Sequence, residues 1–116
     1  MSIQKLLFVL LVAILSFSGL SSTKLYDYVM AYERYSAGLE KKSVTLDIGE
    51  IVYAENDVKS DVTLVLIHGF GGNKDTWNWI VPVWDDKYHI IVIDLPGHGE
   101  SVSKKMLSYT MRDQAK

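Results

Sequence analysis

The strongest structural signal in this 116-residue chain is the stretch Val62-Thr63-Leu64-Val65-Leu66-Ile67-His68-Gly69-Phe70-Gly71-Gly72. Its aliphatic, partly β-branched first half predicts a strand buried on both faces, of the kind found inside parallel sheets. The glycines after the strand allow a sharp turn and a close approach of backbone to ligand. A helix after that turn would direct unpaired N–H groups back toward it, which suits a developing negative charge. The stretch therefore predicts a strand, a glycine turn and a helix that together bind an oxyanion.

A second apolar strand, Tyr88–Ile93, runs into the loop Asp94-Leu95-Pro96-Gly97-His98-Gly99-Glu100-Ser101. With these two motifs the chain resembles the α/β-hydrolase superfamily, in which H-G-x-G follows one strand and D-x-x-G-x-G-x-S follows the next. His68–Asp75 together with Asp94–Gly99 is most similar to bacterial lipases and esterases related to monoacylglycerol lipases. The resemblance extends from about Tyr32 to the end of the chain. It implies an α/β fold in which a β-hairpin precedes a βαβ unit of a mostly parallel sheet, with strand order 1-2-4-3.

The resemblance also implies a set of site residues. Phe70 would donate its backbone N–H to the oxyanion, and His68 would shape this loop rather than act as a general base. The remaining residues that it assigns form the oxyanion loop and the neighbouring turn: Gly69, Gly71 and Gly72, and Gly97, His98 and Gly99. The implied substrate is a small-molecule or lipid ester, such as an acylglycerol, and no cofactor is implied. The same motifs occur in epoxide hydrolases, haloalkane dehalogenases, haloperoxidases and iminopeptidases, which remain alternatives.

The nucleophile of these hydrolases lies in G-x-S-x-G, on a turn between a later strand and its helix. The nearest match, Gly99-Glu100-Ser101-Val102-Ser103, has Ser103 where the last glycine belongs and follows a loop instead of a strand. We therefore interpret Ser101 as a loop or capping serine. A triad also needs an acid and a histidine from later strands. We expect the chain to be the amino-terminal portion of a serine hydrolase, inactive alone, or else a truncated product that at most binds a membrane or partner.

Composition excludes several other functions. A formal net charge of −2 gives no signal for binding nucleic acid. The absence of cysteine excludes disulfides, thiolate metal sites and a cysteine nucleophile. The three histidines have no metal-binding spacing, so no metal site is predicted. The three tryptophans are interpreted as packing residues: Trp77, Trp79 and Trp84.

The amino terminus predicts export or membrane attachment. One lysine precedes the apolar run Leu6–Leu15, and Ser16-Phe17-Ser18 offers small residues for cleavage after Ser18. Residues 1–18 are thus predicted to be a signal peptide, or alternatively an uncleaved anchor, of a periplasmic, secreted or membrane-anchored protein. Residues 19–40 are predicted to hold an amphipathic helix that packs on the hydrolase body or lies at a membrane interface. Residues 41–116 would form the partial hydrolase domain.

Local patterns add three expectations. A hairpin should pair Ser43–Ile48 with Ile51–Ala54 across Gly49-Glu50. Asp75 or Thr76 should cap a helix over Trp77–Val81 that Pro82 ends or kinks. Thr110, with an acidic residue three positions later, should begin a further helix.

Overall fold

The computed structural model describes residues 1–19, 21–84, 86–104, 110 and 112, and it divides into two units, Met1–Glu33 and Arg34–Lys116. The first unit contains helix α1 (Ile3–Phe17) and most of helix α2 (Ser22–Ser36). Ser2 caps α1 by accepting a hydrogen bond from the Lys5 N–H at 3.3 Å. The rings of Phe8 and Tyr32 stack with centroids 3.6 Å apart, so the two helices pack against each other. None of the helices in the described residues is both long and apolar enough to cross a bilayer.

Helix α2 ends on a Schellman motif close to the predicted boundary. Gly38 has a φ of +72° and donates its N–H to the Tyr35 carbonyl at 3.0 Å, while Leu39 donates to the Arg34 carbonyl at 3.0 Å. Glycine suits the first of these positions because a side chain disfavours positive φ. Leu39 then enters the core of the second unit.

The second unit is built on one mixed sheet. Its five strands are β1 (Glu40–Leu46), β2 (Gly49–Glu55), β3 (Thr63–Ile67), β4 (His89–Ile93) and β5 (Val102–Ser103). The order is β1-β2-β4-β3, with β5 on β2. Strands β1 and β4 pair antiparallel with β2, whereas β3 and β4 are parallel. This arrangement confirms the predicted partial α/β-hydrolase fold.

The core lies on one face of the sheet, where five apolar residues are buried: Leu39, Ala54, Val81, Ile90 and Val92. Trp77 and Trp84 pack against them, but Trp79 is 70% exposed, so the packing interpretation holds for two of the three tryptophans. The prediction that β3 is buried on both faces was wrong. Its Leu64 and Leu66 pack on the core, whereas Val65 and Ile67 are more than half exposed because the described residues cover only one face of this strand.

The predicted hairpin exists, but its turn was misplaced. Leu46 pairs with Gly49, so the turn is Asp47-Ile48, and β1 is exposed along its whole length instead of alternating. Gly49 has a φ of +142°, and a Cβ there would collide with the Val102 carbonyl of β5. This glycine therefore allows β5 to approach β2 closely and does not form the turn.

The helix predicted over Trp77–Val81 was also wrong. Two short 3₁₀ helices, Lys74–Trp77 and Val81–Trp84, occupy this region, and Asn73 caps the first by accepting from the Asp75 N–H at 2.9 Å. Pro82 lies at the start of the second helix, where its missing N–H costs little. The helix expected after Thr110 falls largely outside the described residues.

Candidate oxyanion-binding site

The glycine motif after β3 forms a tight turn that presents one backbone donor. Gly72 donates its N–H to the Gly69 carbonyl at 3.0 Å, and Gly71 has a φ of +68°. These features define a type II turn with Phe70 as its first central residue. The Phe70 ring is fully exposed, and no acceptor among the described residues meets its N–H. The turn therefore offers an N–H group that can bind an incoming oxygen.

His68 fixes the start of this turn. Its ring is buried, and Nε2 accepts a hydrogen bond from the Leu95 N–H at 3.2 Å. That bond assigns the ring proton to Nδ1, which lies 2.9 Å from the Gly69 carbonyl and donates to it. Both ring nitrogens are thus engaged with backbone, which supports a shaping role for His68 and leaves neither nitrogen free to act as a base.

The two other glycines of the motif differ in what they contribute. A Cβ on Gly72 would approach the Gly69 carbonyl and the His68 side chain at 3.2 Å, so this position is tight. A Cβ on Gly69 would meet nothing within 4 Å in the described part of the chain. Nothing in the structure explains why residue 69 is glycine.

The loop after β4 wraps around the side chain of Asp94. The His98 N–H donates to the Leu95 carbonyl at 2.9 Å, and the His98 ring lies 5.1 Å from the His68 ring. Gly97 and Gly99 have φ values of +75° and +54°, and a Cβ on Gly99 would lie 2.4 Å from the Asp94 carboxylate. Gly97, His98 and Gly99 therefore form the neighbouring turn, and the enclosed group is a carboxylate.

Asp94 and Lys74 form a buried ion pair that the sequence analysis missed. Asp94 is fully buried, and its Oδ1 accepts from the Lys74 N–H at 2.6 Å. Its Oδ2 accepts from the Lys74 ammonium at 2.9 Å and from the Glu100 N–H at 2.9 Å. Lys74 is 1% exposed, so its charge depends on these partners instead of water.

Further charges extend this pair into a network. Glu100 bridges Lys74 at 2.9 Å and Lys41 of β1 at 2.8 Å. Asp75 binds Arg34 through two hydrogen bonds of 2.9 and 3.1 Å and lies 3.8 Å from the Lys74 ammonium. Fixed bidentate contacts of this kind are the strong form of the arginine–carboxylate pair.

The network shifts the ionisation of two of its members. Burial alone would lower the pKa of Lys74, but hydrogen bonds to Glu100 and Asp94 outweigh burial and raise it above 10.5. Burial alone would raise the pKa of Glu100, but hydrogen bonds from Lys41 and Lys74 lower it from 4.5 to about 2. Both groups therefore stay charged at neutral pH.

Ser101 takes a structural position, consistent with its interpretation as a loop serine. Its buried hydroxyl donates to the Asp94 carbonyl at 2.8 Å and accepts from the Val52 N–H at 2.8 Å. The hydroxyl thus ties the loop after β4 to β2.

Other candidate sites are weaker. The described residues contain no group of three His, Asp or Glu side chains arranged to hold a metal ion. An open polar groove of about 1010 Å³ lies beside the amino ends of β3 and β4, where Glu55, Ser60 and His89 line it. The oxyanion turn is at the carboxyl end of β3, so the groove does not belong to it.

One signal in the sequence pointed to the missed network. Asp94 directly follows β4, at the carboxyl edge of the sheet where α/β folds bind ligands. Its ion-pair partner Lys74 could not be identified in the same way, because it lies 20 positions earlier in the sequence. Their pairing depends on the tertiary fold.

Comparisons with known proteins show what the chain is similar to. Residues 62–116 match the family model of the alpha/beta hydrolase fold. Lipase 3 of Moraxella sp. (strain TA144) is 44% identical over 88 residues, and Lipase 1 of Psychrobacter immobilis is 46% identical over 88 residues. Each match covers 75% of this chain and 28% or 27% of the lipase, so the chain spans less than a third of either relative.

Among solved structures, the chain is similar to that of a membrane phospholipase A, a bacterial virulence factor. The two sequences are 34% identical and the TM-score is 0.71; the match covers 97% of this chain and 37% of the phospholipase chain. Together with the sheet order and the two motifs, these matches show that the chain has a partial α/β-hydrolase fold and is similar to lipases and esterases.

Proposed function

We propose that this chain supplies the oxyanion-binding part of an exported or membrane-anchored serine hydrolase that cleaves carboxylic esters, with acylglycerol-like lipids as substrates. The observation that carries the proposal is the Phe70 N–H, which lacks an acceptor among the described residues and lies on a turn fixed by His68. The lipases and the phospholipase that the chain resembles support an ester or lipid substrate.

In ester cleavage, this turn has to stabilise one developing negative charge. When a nucleophile attacks an ester carbonyl, the carbon becomes tetrahedral and negative charge collects on the oxygen. The Phe70 N–H stabilises that charge without reorganisation, because the turn already holds it in place. From the family resemblance, we expect the second donor to be the residue after the nucleophile. The nucleophile, the acid and the catalytic histidine are not assigned to any residue of this chain, and the engaged hydroxyl of Ser101 argues against it as the nucleophile.

The proposal is tested in the protein encoded by the whole reading frame that carries this chain. Phe70→Pro removes the donor N–H, and proline suits the first central position of a type II turn, so the fold should survive. We expect kcat for a p-nitrophenyl ester to fall about 10²- to 10³-fold with little change in KM, as for loss of one oxyanion donor. Phe70→Ala keeps the N–H and serves as the matched control, with activity within a few-fold of wild type. Equal rates for the proline and alanine variants would refute the role of Phe70.

The coding sequence after Lys116 distinguishes the alternatives. A downstream G-x-S-x-G with later Asp and His codons would support the serine hydrolase. An aspartate in place of that serine would indicate an epoxide hydrolase or dehalogenase, and a stop codon would favour a non-catalytic product. The 116-residue chain alone should not exceed a boiled control, and turnover that disappears in Ser101→Ala would reinstate that serine.

A further inference from the structure

We propose that Lys74 and Asp94 are positioning residues, whose buried ion pair, completed by Glu100, clamps the oxyanion turn and sets the direction of the Phe70 N–H. The inference rests on the proposed function only in that it takes Phe70 as the oxyanion donor. The clamp itself is a geometric feature and can be tested without activity.

The turn has two supports, and both rest on the loop that follows β4. On one side His68 accepts a hydrogen bond from the Leu95 N–H. On the other side Lys74 binds Asp94 through both its backbone N–H and its ammonium. Between these supports, the Gly72–Gly69 hydrogen bond closes the turn around Phe70. Its orientation therefore depends on whether both supports keep their places.

Burial makes the second support rigid. Lys74 and Asp94 are each almost completely excluded from solvent, so separating them would take from each buried charge an ionic partner that water cannot replace. An ammonium has three N–H donors, and Lys74 directs two hydrogen bonds to Asp94 and Glu100, both at 2.9 Å. Glu100 is in turn held by Lys41 of β1. The clamp thus connects the turn to the loop after β4 and to the far edge of the sheet.

The same contacts argue against other roles for Asp94. Both carboxylate oxygens already accept hydrogen bonds, from the Lys74 and Glu100 N–H groups and from the Lys74 ammonium. Gly99 packs so closely that even a Cβ would not fit beside the carboxylate. An enclosed carboxylate whose two oxygens are both engaged does not reach a substrate. Its effect on the reaction is therefore indirect, through the turn that carries Phe70.

The test compares Lys74→Met with a variant that weakens the fold elsewhere. Methionine keeps much of the length of lysine and the backbone N–H that binds Asp94 Oδ1, but it lacks the ammonium that binds Oδ2. Ile90→Ala, which removes apolar volume from the buried centre of β4, provides a matched loss of stability without touching the turn. Both are measured in the whole protein at a temperature where each is folded. For Lys74→Met we expect amide exchange of residues 69–73 to accelerate and kcat to fall at least tenfold with KM within twofold, because small misplacements of a catalytic donor cost this much. For Ile90→Ala we expect neither change.

Each outcome bears on a separate claim. If exchange in residues 69–73 is the same in Lys74→Met and wild type, the clamp is refuted, whatever the activity. If exchange accelerates but kcat is unchanged, the clamp exists and does not position Phe70 for catalysis, which also overturns the inference. A wild-type protein without esterase activity would refute the proposed function, whereas the exchange measurement would still decide whether the clamp holds the turn. Should Lys74→Met not fold, Glu100→Gln removes only the outer partner, and we then expect a smaller change of the same kind.

Discussion

Asp94 gives a physical reason for the composition of the loop that follows β4. Its carboxylate must be surrounded by donors, and the chain achieves this by folding back so that the Glu100 N–H reaches it. Gly99 makes the approach possible through a left-handed φ and the absence of a side chain. Ser101 then fastens the loop to β2. The Asp94–Ser101 motif therefore encloses a buried carboxylate, and its effect on any substrate is indirect.

Replacing Gly99 with alanine should be strongly destabilising. The added methyl group meets the Asp94 carboxylate and the backbone is held at positive φ, so we expect a loss of about 2–4 kcal/mol in the free energy of unfolding. Gly38→Ala isolates the cost of a positive φ, because Gly38 has a φ of +72° and no atom close to the added methyl group. We expect it to lower the free energy of unfolding by about 1–2 kcal/mol. Gly69→Ala has neither problem and should be near neutral. Urea unfolding of the three variants measures the order, and a Gly99→Ala as stable as Gly69→Ala would contradict it.

Helices and strands differed in how well the sequence predicted them. The apolar runs of β3 and β4 identified two parallel strands, because short aliphatic and β-branched segments favour extended structure. The region after the oxyanion turn was mistaken for one helix, since Asn73 and not Asp75 provides the cap. Asp75 is unavailable because Arg34 binds it. That competition comes from tertiary contacts, which a local pattern does not contain.

The position of the hairpin turn shows the same limit. Glycine is common in turns, so Gly49 suggested the bend. The structure uses Gly49 for contact with β5, a strand more than fifty positions later. The candidate site was likewise predicted only in part. The motifs indicated Phe70 and His68, whereas the charge network around Lys74 could be recognised only from the folded structure.

Whether α1 is cleaved or retained remains a prediction, and it can be tested on the expressed protein. If the segment is a signal peptide cleaved after Ser18, mass spectrometry of exported material should find a chain that begins at or near Gly19. If it is an anchor, intact Met1 should be recovered from membranes washed with carbonate. Recovery of intact protein only in the soluble cytoplasmic fraction would contradict both forms of the proposal.

The second unit as a whole depends on a charge network that spans its sheet. Arg34, Lys41 and Lys74 are balanced by Asp75, Asp94 and Glu100, and the contacts extend from the end of α2 through β1 to the loop after β4. Lys41 and Glu100 are half exposed, but the pairs Lys74–Asp94 and Arg34–Asp75 are buried, and removing one partner from such a pair typically costs about 3–5 kcal/mol. The network should therefore set the range of pH over which the unit is stable.

We expect the contribution of Glu100 and Lys74 to stability to be complete between about pH 4.5 and pH 10.5. The folded pKa of Glu100 is depressed to about 2, so its contribution is complete above its usual pKa of 4.5 and is lost as the pH falls toward 2. The folded pKa of Lys74 is raised, so its contribution is complete below 10.5 and is lost as the pH rises through the raised value. The difference in Tm between wild type and Glu100→Gln should be constant near neutral pH and shrink below pH 4.5. Asp57→Asn, at an ion pair that is almost fully exposed, should show no such difference, and a Glu100→Gln difference that persists at pH 2 would contradict the assignment.

The open side of β3 has a consequence for how the chain behaves in solution. Among the described strands, β3 pairs only with β4, and its β-branched residues Val65 and Ile67 stay in contact with water. Unpaired backbone groups along such an edge are a template for a strand from another molecule. A second copy can satisfy them, and no lysine or proline within the strand discourages it. Concentrated solutions of the 116-residue chain will accordingly contain assemblies joined strand to strand, and a charged residue in place of Val65 is the change that would disperse them.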